Sequence, residues 1–266
     1  MTETVESTTY QTIATTVVTK TQIGNDVVLP KWCRQIVSIK PILGLDVPTA
    51  AESCLTKYSI ESDDIAGLAP FEVFGTPIGA TLGATLSAFQ AAPETYFVGA
   101  ATQGGERLRC YCQALVANTG ALVVAMEIRI SDQPPQFPQR HAKIGTLTSS
   151  GTTATSDVAG TAYQITGGHA IKELQAVFAH TTVAAASAVV GYFKYSSSEF
   201  GLSMPVKMQI NPIAASVGAL DITYLNGVTR DKVDIPIANN TTLQDALYMG
   251  LAPTVAGNFA TGVIYE

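Results

Sequence analysis

The chain is poor in charge. Only 14% of its 266 residues are Asp, Glu, Lys or Arg, whereas soluble domains average about 25%. Hydrophobic residues make up 47%, yet no uninterrupted apolar run reaches the roughly 18 residues of a membrane-spanning helix. Because so little charge is available to cover an isolated particle, we expect the excess apolar surface to be buried against other protein subunits.

Clusters of Lys and Arg are also missing. The net charge is −6, and the N-terminus carries Glu3 and Glu6 in place of a basic arm. Direct binding to nucleic acid depends on cations that neutralise phosphates, so we expect none. The same acidic start lacks the basic and apolar regions of a secretory signal, which predicts folding in a cytoplasm.

Motifs for catalysis are absent as well. His141, His169 and His180 lie 28 and 11 residues apart, without the spacing of a metal site. Neither a G-x-S-x-G, nor a P-loop, nor a dinucleotide-binding glycine pattern occurs. Two carboxylate pairs are interpreted as solvated turns in preference to calcium ligands: Asp63 with Asp64, and Asp231 with Asp234. We therefore predict no catalytic residue, no metal ligand and no cofactor, and hence no enzyme.

Cysteine and tryptophan are rare. The cysteines are Cys33, Cys54, Cys110 and Cys112, all in the first half and without the paired C-x-x-C motif of a zinc site. Buried free thiols are the preferred interpretation, with a disulfide as the alternative. The single Trp32 is expected to fill the core or a seam between domains.

What the sequence does contain is an internal repeat. Residues 77–84, PIGATLGA, return as residues 212–219, PIAASVGA, at an offset of 135. Lys-Tyr-Ser at 57–59 returns at 194–196, and residues 34–39 parallel residues 172–177 at an offset of 138. Further matches follow in the same order: residues 68–71 with 203–206, and residues 114–128 with 250–264. Collinear matches at nearly constant offset indicate a duplicated domain.

Each half offers seven or eight short strands between Gly, Pro and Asn turns. This pattern is typical of a β-sandwich or barrel, including the eight-stranded jelly roll. One local exception is the segment from Thr242 to Asp245, which could cap a short helix. We predict an all-β protein of two tandem jelly-roll domains related by internal duplication. The expected parts are an N-terminal arm (1–20), a first jelly roll (21–131), a Pro-rich linker (132–143) and a second jelly roll (144–266).

The repeat, the Pro-rich linker, the size and the low charge together resemble the double-jelly-roll major capsid proteins of tailless icosahedral viruses. That lineage includes adenovirus and membrane-containing viruses of bacteria and archaea. The resemblance implies a homotrimer whose six jelly rolls form a pseudo-hexagonal capsomer of an icosahedral shell. It also implies contacts with neighbouring capsomers and other capsid proteins, an internal viral membrane beneath the shell, and a place in the virion after assembly in the host cytoplasm. Residues 1–20 would then clamp a neighbour or face the membrane.

Two alternatives remain open at this point. The first is a minor capsid or vertex-spike protein built from the same tandem domains. The second is a non-viral tandem β-sandwich, either a carbohydrate-binding module or a cupin-like enzyme. A sugar-binding face would favour exposed aromatics, and the chain has one Trp. A cupin-like enzyme would resemble its relatives in a His-x-His and Glu cluster, which this sequence lacks.

Overall fold

The computed structural model describes most of the chain. The described residues are 3–7, 11–13, 19–46, 52–75, 78–81, 87–90, 93–116, 121–151, 158–168, 170–180, 187–189, 191–198, 206–209, 213–217, 222–224, 228–238, 241–249 and 257–266. Within these residues every regular element is a β-strand. The predicted all-β class is therefore confirmed.

The described residues of the first half form thirteen strands. They are β1 (Glu3–Ser7), β2 (Gln11–Ile13), β3 (Thr21–Gln22), β4 (Val27–Val28), β5 (Gln35–Asp46), β6 (Glu52–Cys54), β7 (Thr56–Glu61), β8 (Phe71–Phe74), β9 (Ile78–Thr81), β10 (Ser87–Gln90), β11 (Tyr96–Ala101), β12 (Arg107–Ala114) and β13 (Ala121–Ser131). Below, this half is called the first roll.

The second half repeats the plan and is called the second roll. Its strands are β14 (His141–Ile144), β15 (Thr148–Gly151), β16 (Val158–Ala159), β17 (Tyr163–Ile165), β18 (Ala170–His180), β19 (Ser187–Val189), β20 (Gly191–Ser196), β21 (Val206–Gln209), β22 (Ile213–Val217), β23 (Ile222–Tyr224), β24 (Val228–Pro236), β25 (Thr241–Met249) and β26 (Gly257–Tyr265).

The strand order of each roll is that of a jelly roll. The first roll has one sheet in the order β1-β13-β5-β11, in which β2 also pairs with β13. Its other sheet has the order β3-β12-β7-β8, in which β4 also pairs with β12. If the eight principal strand positions are lettered B to I along the chain, these sheets read B-I-D-G and C-H-E-F. The second roll has the corresponding orders β14-β26-β18-β24 and β16-β25-β20-β21. The prediction of two tandem jelly rolls is thus confirmed.

A small third sheet also recurs. In the first roll, β6 lies in the D–E connection and pairs with β9 of the F–G connection, which pairs with β10. In the second roll, β19, β22 and β23 form the same arrangement. The repeated PIGA and PIAA segments enter β9 and β22, the central strands of these sheets. The described residues of these segments, 78–81 and 213–217, are extended strands.

One irregularity of the hydrogen-bond ladder fixes the register of the duplication. The bulge between the D and I strands skips Val37 in the first roll and Lys172 in the second. The neighbouring G strand shifts at the same level, before Ala100 and before Ile235. Both pairs are 135 residues apart, and β-bulges are specific features of a fold. The predicted offset of 138 for this strand is therefore wrong by three residues, because similar residue types matched out of register.

The cores of the two rolls share a buried tyrosine. Tyr58 of β7 donates its hydroxyl hydrogen to the carbonyl of Ile42 at 2.8 Å, and Tyr195 of β20 donates to the carbonyl of Gln175 at 2.5 Å. Both rings are fully buried among apolar side chains. Each bond joins the E strand to the D strand of the opposite sheet, although the acceptor Gln175 corresponds to Lys40 and not to Ile42 in the register set by the bulge.

Four local predictions need correction. The N-terminal arm is instead part of the first roll, because β1 and β2 pair with β13 as its B strand. The corresponding strand β14 begins at His141, inside the predicted linker. The helix at Thr242 is wrong, since burial alternates with period two along β25. Trp32 does not fill a core or seam, because its exposed fraction is 42%.

Candidate interface between the jelly rolls

The two rolls share an apolar seam. The edge strand β8 of the first roll lies beside β14 of the second roll, and Phe74 of β8 is buried. Phe74 and Leu55 form one cluster with Ile144, Val177 and Ala260 of the second roll. Val177 and Ala260 belong to the D and I strands and point away from the second roll's own core. The outer face of the second roll's B-I-D-G sheet is therefore covered by the first roll.

A group of charged residues closes one side of this seam. Arg230 of β24 donates from Nε to Glu173 Oε1 at 2.6 Å and from Nη2 to Glu173 Oε2 at 2.9 Å. Its Nη1 donates to Glu94 Oε2 of the first roll at 2.9 Å, and the guanidinium lies 4.6 Å from the ring centroid of Tyr96. Gln175 donates a further hydrogen bond to Glu173. This network connects the first roll to two strands of the second.

Burial and charge act in opposite directions on this network. Burial alone lowers the pKa of Arg230, but the hydrogen bonds and negative charge of Glu173 raise it above the ordinary value. Only 4% of the Glu173 side chain is exposed. A carboxylate in that position is stabilised by its bidentate arginine. The arginine therefore stays protonated at neutral pH, and its charge is available to both carboxylates.

A polar rim borders the other side of the seam. Glu72 of β8 accepts hydrogen bonds from Lys57 Nζ at 3.0 Å and from the backbone N–H of Ile144 at 3.2 Å, and Lys143 Nζ lies 3.5 Å away. These groups line a groove of about 480 Å³ that also contacts Tyr163. β14 is the end strand of its sheet, and the Glu72 carboxylate accepts the backbone N–H of Ile144 at its outer edge. The side chain thus satisfies a group that a neighbouring strand would otherwise bind.

Asp245 is a buried acid that the sequence did not reveal. It lies in β25 directly opposite Tyr195, whereas Cys112 lies opposite Tyr58 in the first roll. Only 1% of Asp245 is exposed, and its Oδ2 accepts the hydroxyl hydrogen of Thr261 at 2.5 Å. Burial raises the pKa of Asp245. A Cβ on Gly160 would overlap this carboxylate, so the turn before β17 needs glycine there.

Four of the residues considered for metal binding have other partners. His141 stacks on Tyr265 with ring centroids 5.4 Å apart. Asp63 pairs with Arg109, Asp64 accepts the backbone N–H of Arg107, and Asp234 pairs with Lys172. Across the described ranges, no three His, Cys, Asp or Glu residues are grouped closely enough to hold a metal ion. His169 lies outside the described residues.

All four cysteines are buried and free. Burial raises the pKa of the thiols of Cys110 and Cys112 to about 12. Neutral thiols are poor nucleophiles, so these side chains act as small apolar residues in the core. The interpretation as buried free thiols is confirmed.

In the part of the chain that the structure describes, no helix has the length and apolar character needed to cross a membrane.

Comparison with known proteins gives structural neighbours only. No family model and no curated protein matches the chain. A structure of Sulfolobus turreted icosahedral virus is 9% identical, with a TM-score of 0.49, over 99% of this chain and 90% of the other. Particles derived from infectious bursal virus are 12% identical, with a TM-score of 0.25, over 100% and 73%. The tandem CBM22 domains of Paenibacillus barcinonensis Xyn10C are 10% identical, with a TM-score of 0.29, over 99% and 91%.

Because these similarities are low, the fold is assigned from the strand order of the structure itself. That order contains both jelly rolls complete, so the architecture behind the resemblance to the tailless-virus capsid proteins is confirmed. Sequence patterns did not reveal the seam. Its partners Glu94 and Arg230 are 136 residues apart and belong to different rolls, and no local motif links them.

Proposed function

We propose that this chain is a structural subunit of a virus capsid, a major capsid protein that forms trimeric, pseudo-hexagonal capsomers. The observation that carries the proposal is the seam between the rolls. The seam joins the edge strand β8 of the first roll to the outer B-I-D-G face of the second roll. Because the chain is duplicated, it has a second edge strand and a second outer face of the same kind, and the seam within one chain does not use them. We propose that this second pair of surfaces binds another copy of the chain.

The first of these remaining surfaces is the outer B-I-D-G face of the first roll. The register of the bulge places Ile42 at the position of Val177, and Ala125 at the position of Ala260. Val177 is 1% exposed beneath the first roll, whereas Ile42 remains partly exposed on its own face. The first roll therefore keeps Ile42 partly exposed where the second roll buries Val177, although Ala125 on the same face is buried.

The second remaining surface is the edge strand β21. It corresponds to β8, which packs on the outer face of the second roll within the chain, and it lies at the edge of its own sheet. When the edge strand β21 of one copy packs on the outer B-I-D-G face of the first roll in the next copy, the contact repeats the seam within one chain. Such a contact is head to tail, and head-to-tail contacts close into rings when the rotation allows. Three copies in a ring contribute six rolls, related by an approximate sixfold axis.

The composition supports the same assembly. With 14% charged residues, the chain has little charge to solvate an open surface. Apolar burial contributes about 25 cal/mol per Å², and homo-oligomeric interfaces are the richest in apolar area. In this proposal the protein has a structural role without catalysis, and its partners are its own copies, neighbouring capsomers and other capsid proteins. Assembly takes place in the host cytoplasm and ends in the virion.

The sequence also suggests what lies beneath the shell. A net charge of −6 without a basic arm does not suit direct contact with a genome. A layer between shell and nucleic acid, such as an internal viral membrane, fits this charge. Flotation of the purified protein with liposomes of anionic and neutral lipid tests that part separately, and absence from both lipid fractions contradicts it.

The decisive experiment is the mass and shape of the purified protein. We expect a particle of three times 27.9 kDa by multi-angle light scattering, with a hexagonal outline in negative stain. A stable monomer would overturn the proposal. If trimers form, copy number per virus particle then separates a major capsid protein from a vertex spike built from the same two rolls.

A further inference from the structure

Large apolar side chains are exposed at one end of the first roll. Among the described residues, the exposed large hydrophobic side chains are Val28, Trp32 and Phe137, with exposed fractions of 62%, 42% and 67%. Tryptophan and phenylalanine are usually covered in a folded protein. Exposed apolar side chains that gather in one region mark a contact with a partner.

Backbone pairing places these side chains at the same end of the sandwich. Val28 pairs with the first residue of β12. The loop of Trp32 is bonded through the N–H of Arg34 to the carbonyl of Ser131, where β13 ends, and the turn that leads into β12 is bonded to the same loop. The linker that carries Phe137 continues from the end of β13. All three side chains therefore lie where β12 begins and β13 ends.

This end of the roll remains free in the proposed capsomer. The contacts proposed between copies use the edge strand β21 and the outer B-I-D-G face of the first roll, which both run along the strands. The connections at the strand ends therefore lie on the two open sides of the ring. One of these sides faces the interior of the shell.

The loop of Trp32 has backbone groups that are already paired within the protein. The N–H of Cys33 donates to the carbonyl of Pro30 at 2.9 Å. Arg34 Nη1 donates to the carbonyls of Lys31 and Cys33 at 3.1 and 3.0 Å. An unpaired peptide group is costly to move from water into lipid, so a loop with these internal bonds is suited to enter a bilayer interface.

Phe137 is held in an exposed position by the residues around it. Its ring meets Phe97 edge to face with centroids 6.4 Å apart, and the Arg140 guanidinium lies 5.2 Å from the Phe97 centroid. Pro135 and Pro138 restrict the backbone on both sides of it. A segment that is already rigid loses little conformational freedom when its aromatic side chain is buried by a partner.

The charges at this end favour a neutral partner. Lys31 and Arg34 are exposed, but the carboxylates of Asp64 and Glu106 lie on the adjacent turns and line one groove there. Aromatic side chains favour the interface of a bilayer, where the ring is covered and a polar tip stays hydrated. A protein partner needs a closely packed patch, whereas side chains on separate connections can each enter a fluid surface.

We infer that this end of the first roll binds a neutral phospholipid bilayer, and that Val28, Trp32 and Phe137 enter its interface. The inference rests on the proposed internal membrane and names the side chains that contact it. Binding of this kind depends on apolar burial. It is therefore insensitive to salt, unlike the attraction between a basic protein and anionic lipid.

The first test uses the single tryptophan of the chain. The purified full chain is mixed with vesicles of phosphatidylcholine, with and without brominated acyl chains. We expect the emission of Trp32 to shift to shorter wavelength on binding and to be quenched by the brominated lipid, at low and high salt alike. Unchanged emission, or binding that is lost at high salt, would overturn the inference.

The second test removes the apolar side chains one at a time. Phe137→Gln and Trp32→Gln should each weaken partitioning into these vesicles about tenfold, because each takes apolar area out of the lipid. Val28→Thr should weaken it by a smaller factor, and Trp32→Phe should retain most of the binding. The matched control is Val158→Thr, on a partly exposed valine of β16 in the second roll, which should bind as wild type does. Flotation measures partitioning, and circular dichroism verifies that each variant is folded.

The outcomes separate this inference from the proposed function. If the wild-type protein floats with vesicles while Trp32 emission is unchanged, or while the variants bind normally, lipid is bound by another surface. The inference then falls and the proposed membrane stands. A protein that forms trimers and binds neither neutral nor anionic lipid overturns the inference together with the proposed membrane, and leaves the capsomer proposal standing.

Discussion

At the seam, the guanidinium of Arg230 contacts groups from both rolls at once. It neutralises Glu173, which is nearly inaccessible to water, and reaches Glu94 of the first roll. Removal of one partner from such a buried pair leaves an uncompensated charge. Arg230 therefore matters mainly because its removal would destabilise the fold, and less because its ion pairs add net stability.

We expect Arg230→Met to lower the free energy of unfolding by about 3–5 kcal/mol, because the Glu173 carboxylate remains buried without its cation. Chemical denaturation of the purified chain measures the change. The matched control is Arg107→Gln on an exposed arginine, which should alter stability by about 0.5 kcal/mol or less. A second substitution, Glu173→Gln, should restore much of the loss, and an Arg230→Met chain as stable as wild type contradicts this account.

Asp245 gives the second roll a buried acid at the position where the first roll has Cys112. Its folded-state pKa is raised, so the neutral form is favoured on folding. The associated stability is complete below the ordinary pKa of aspartate, about 4, and is lost as the pH rises through the higher folded value. Besides Thr261, the groups that face Asp245 are the hydroxyls of Tyr163 and Tyr195, which are both neutral because burial raises their pKa.

We expect Asp245→Asn to reduce the decline in unfolding free energy above about pH 4, because asparagine cannot ionise. Urea titrations at several values between pH 4 and pH 8 measure it. Asp231→Asn, on an exposed residue of β24, provides the control. If wild type and Asp245→Asn decline in parallel as the pH rises, the carboxyl does not carry the dependence.

Among the elements, the E strands show how far the duplication extends. β7 and β20 each place one tyrosine in the centre of a roll and tie it to the D strand across the sandwich. The two rings are surrounded by different side chains, since Cys112 lies opposite one and Asp245 opposite the other. The hydrogen bond is therefore a property of the fold and not of its particular packing.

Tyr58→Phe and Tyr195→Phe should each lower the unfolding free energy by about 1–3 kcal/mol, because a buried carbonyl loses its donor. Denaturant titration of the two variants side by side measures this. Tyr111→Phe, on a partly exposed tyrosine of β12, serves as the matched control. A loss for one central tyrosine and none for the other would contradict their equivalent roles.

Sequence patterns predicted the class, the duplication and the jelly rolls, because strand periodicity and repeated segments are local properties. They did not predict the register of the D strand, since residues 34–39 and 172–177 match in type while the bulge sets the true alignment. They also misassigned Thr242, where a local capping pattern is overridden by pairing with β17. The exposure of Trp32 depends on a loop position that no periodicity encodes.

For the whole molecule, the central feature is that equivalent surfaces have different fates. The outer face of the second roll is buried by the first roll of the same chain. On the outer face of the first roll, Ile42 is partly exposed at the position that matches Val177, whereas Ala125 is buried. In the proposed capsomer both faces are covered, one by folding and the other by assembly. The same substitution made at matching positions should therefore act on different processes.

We expect Val177→Asp to lower the unfolding free energy by about 4 kcal/mol or more, because it buries an unpaired charge beneath the first roll. Ile42→Asp should lower the unfolding free energy by only about 1 kcal/mol, since the side chain at position 42 is partly exposed to water. It should nevertheless abolish trimers, because assembly would bury the same charge. Chemical denaturation and light scattering on both variants measure the two effects, with Ile42→Val as the apolar control that should retain trimers. Trimers that persist in Ile42→Asp would mean that this face stays in solvent, and the six-roll ring would then need a different contact.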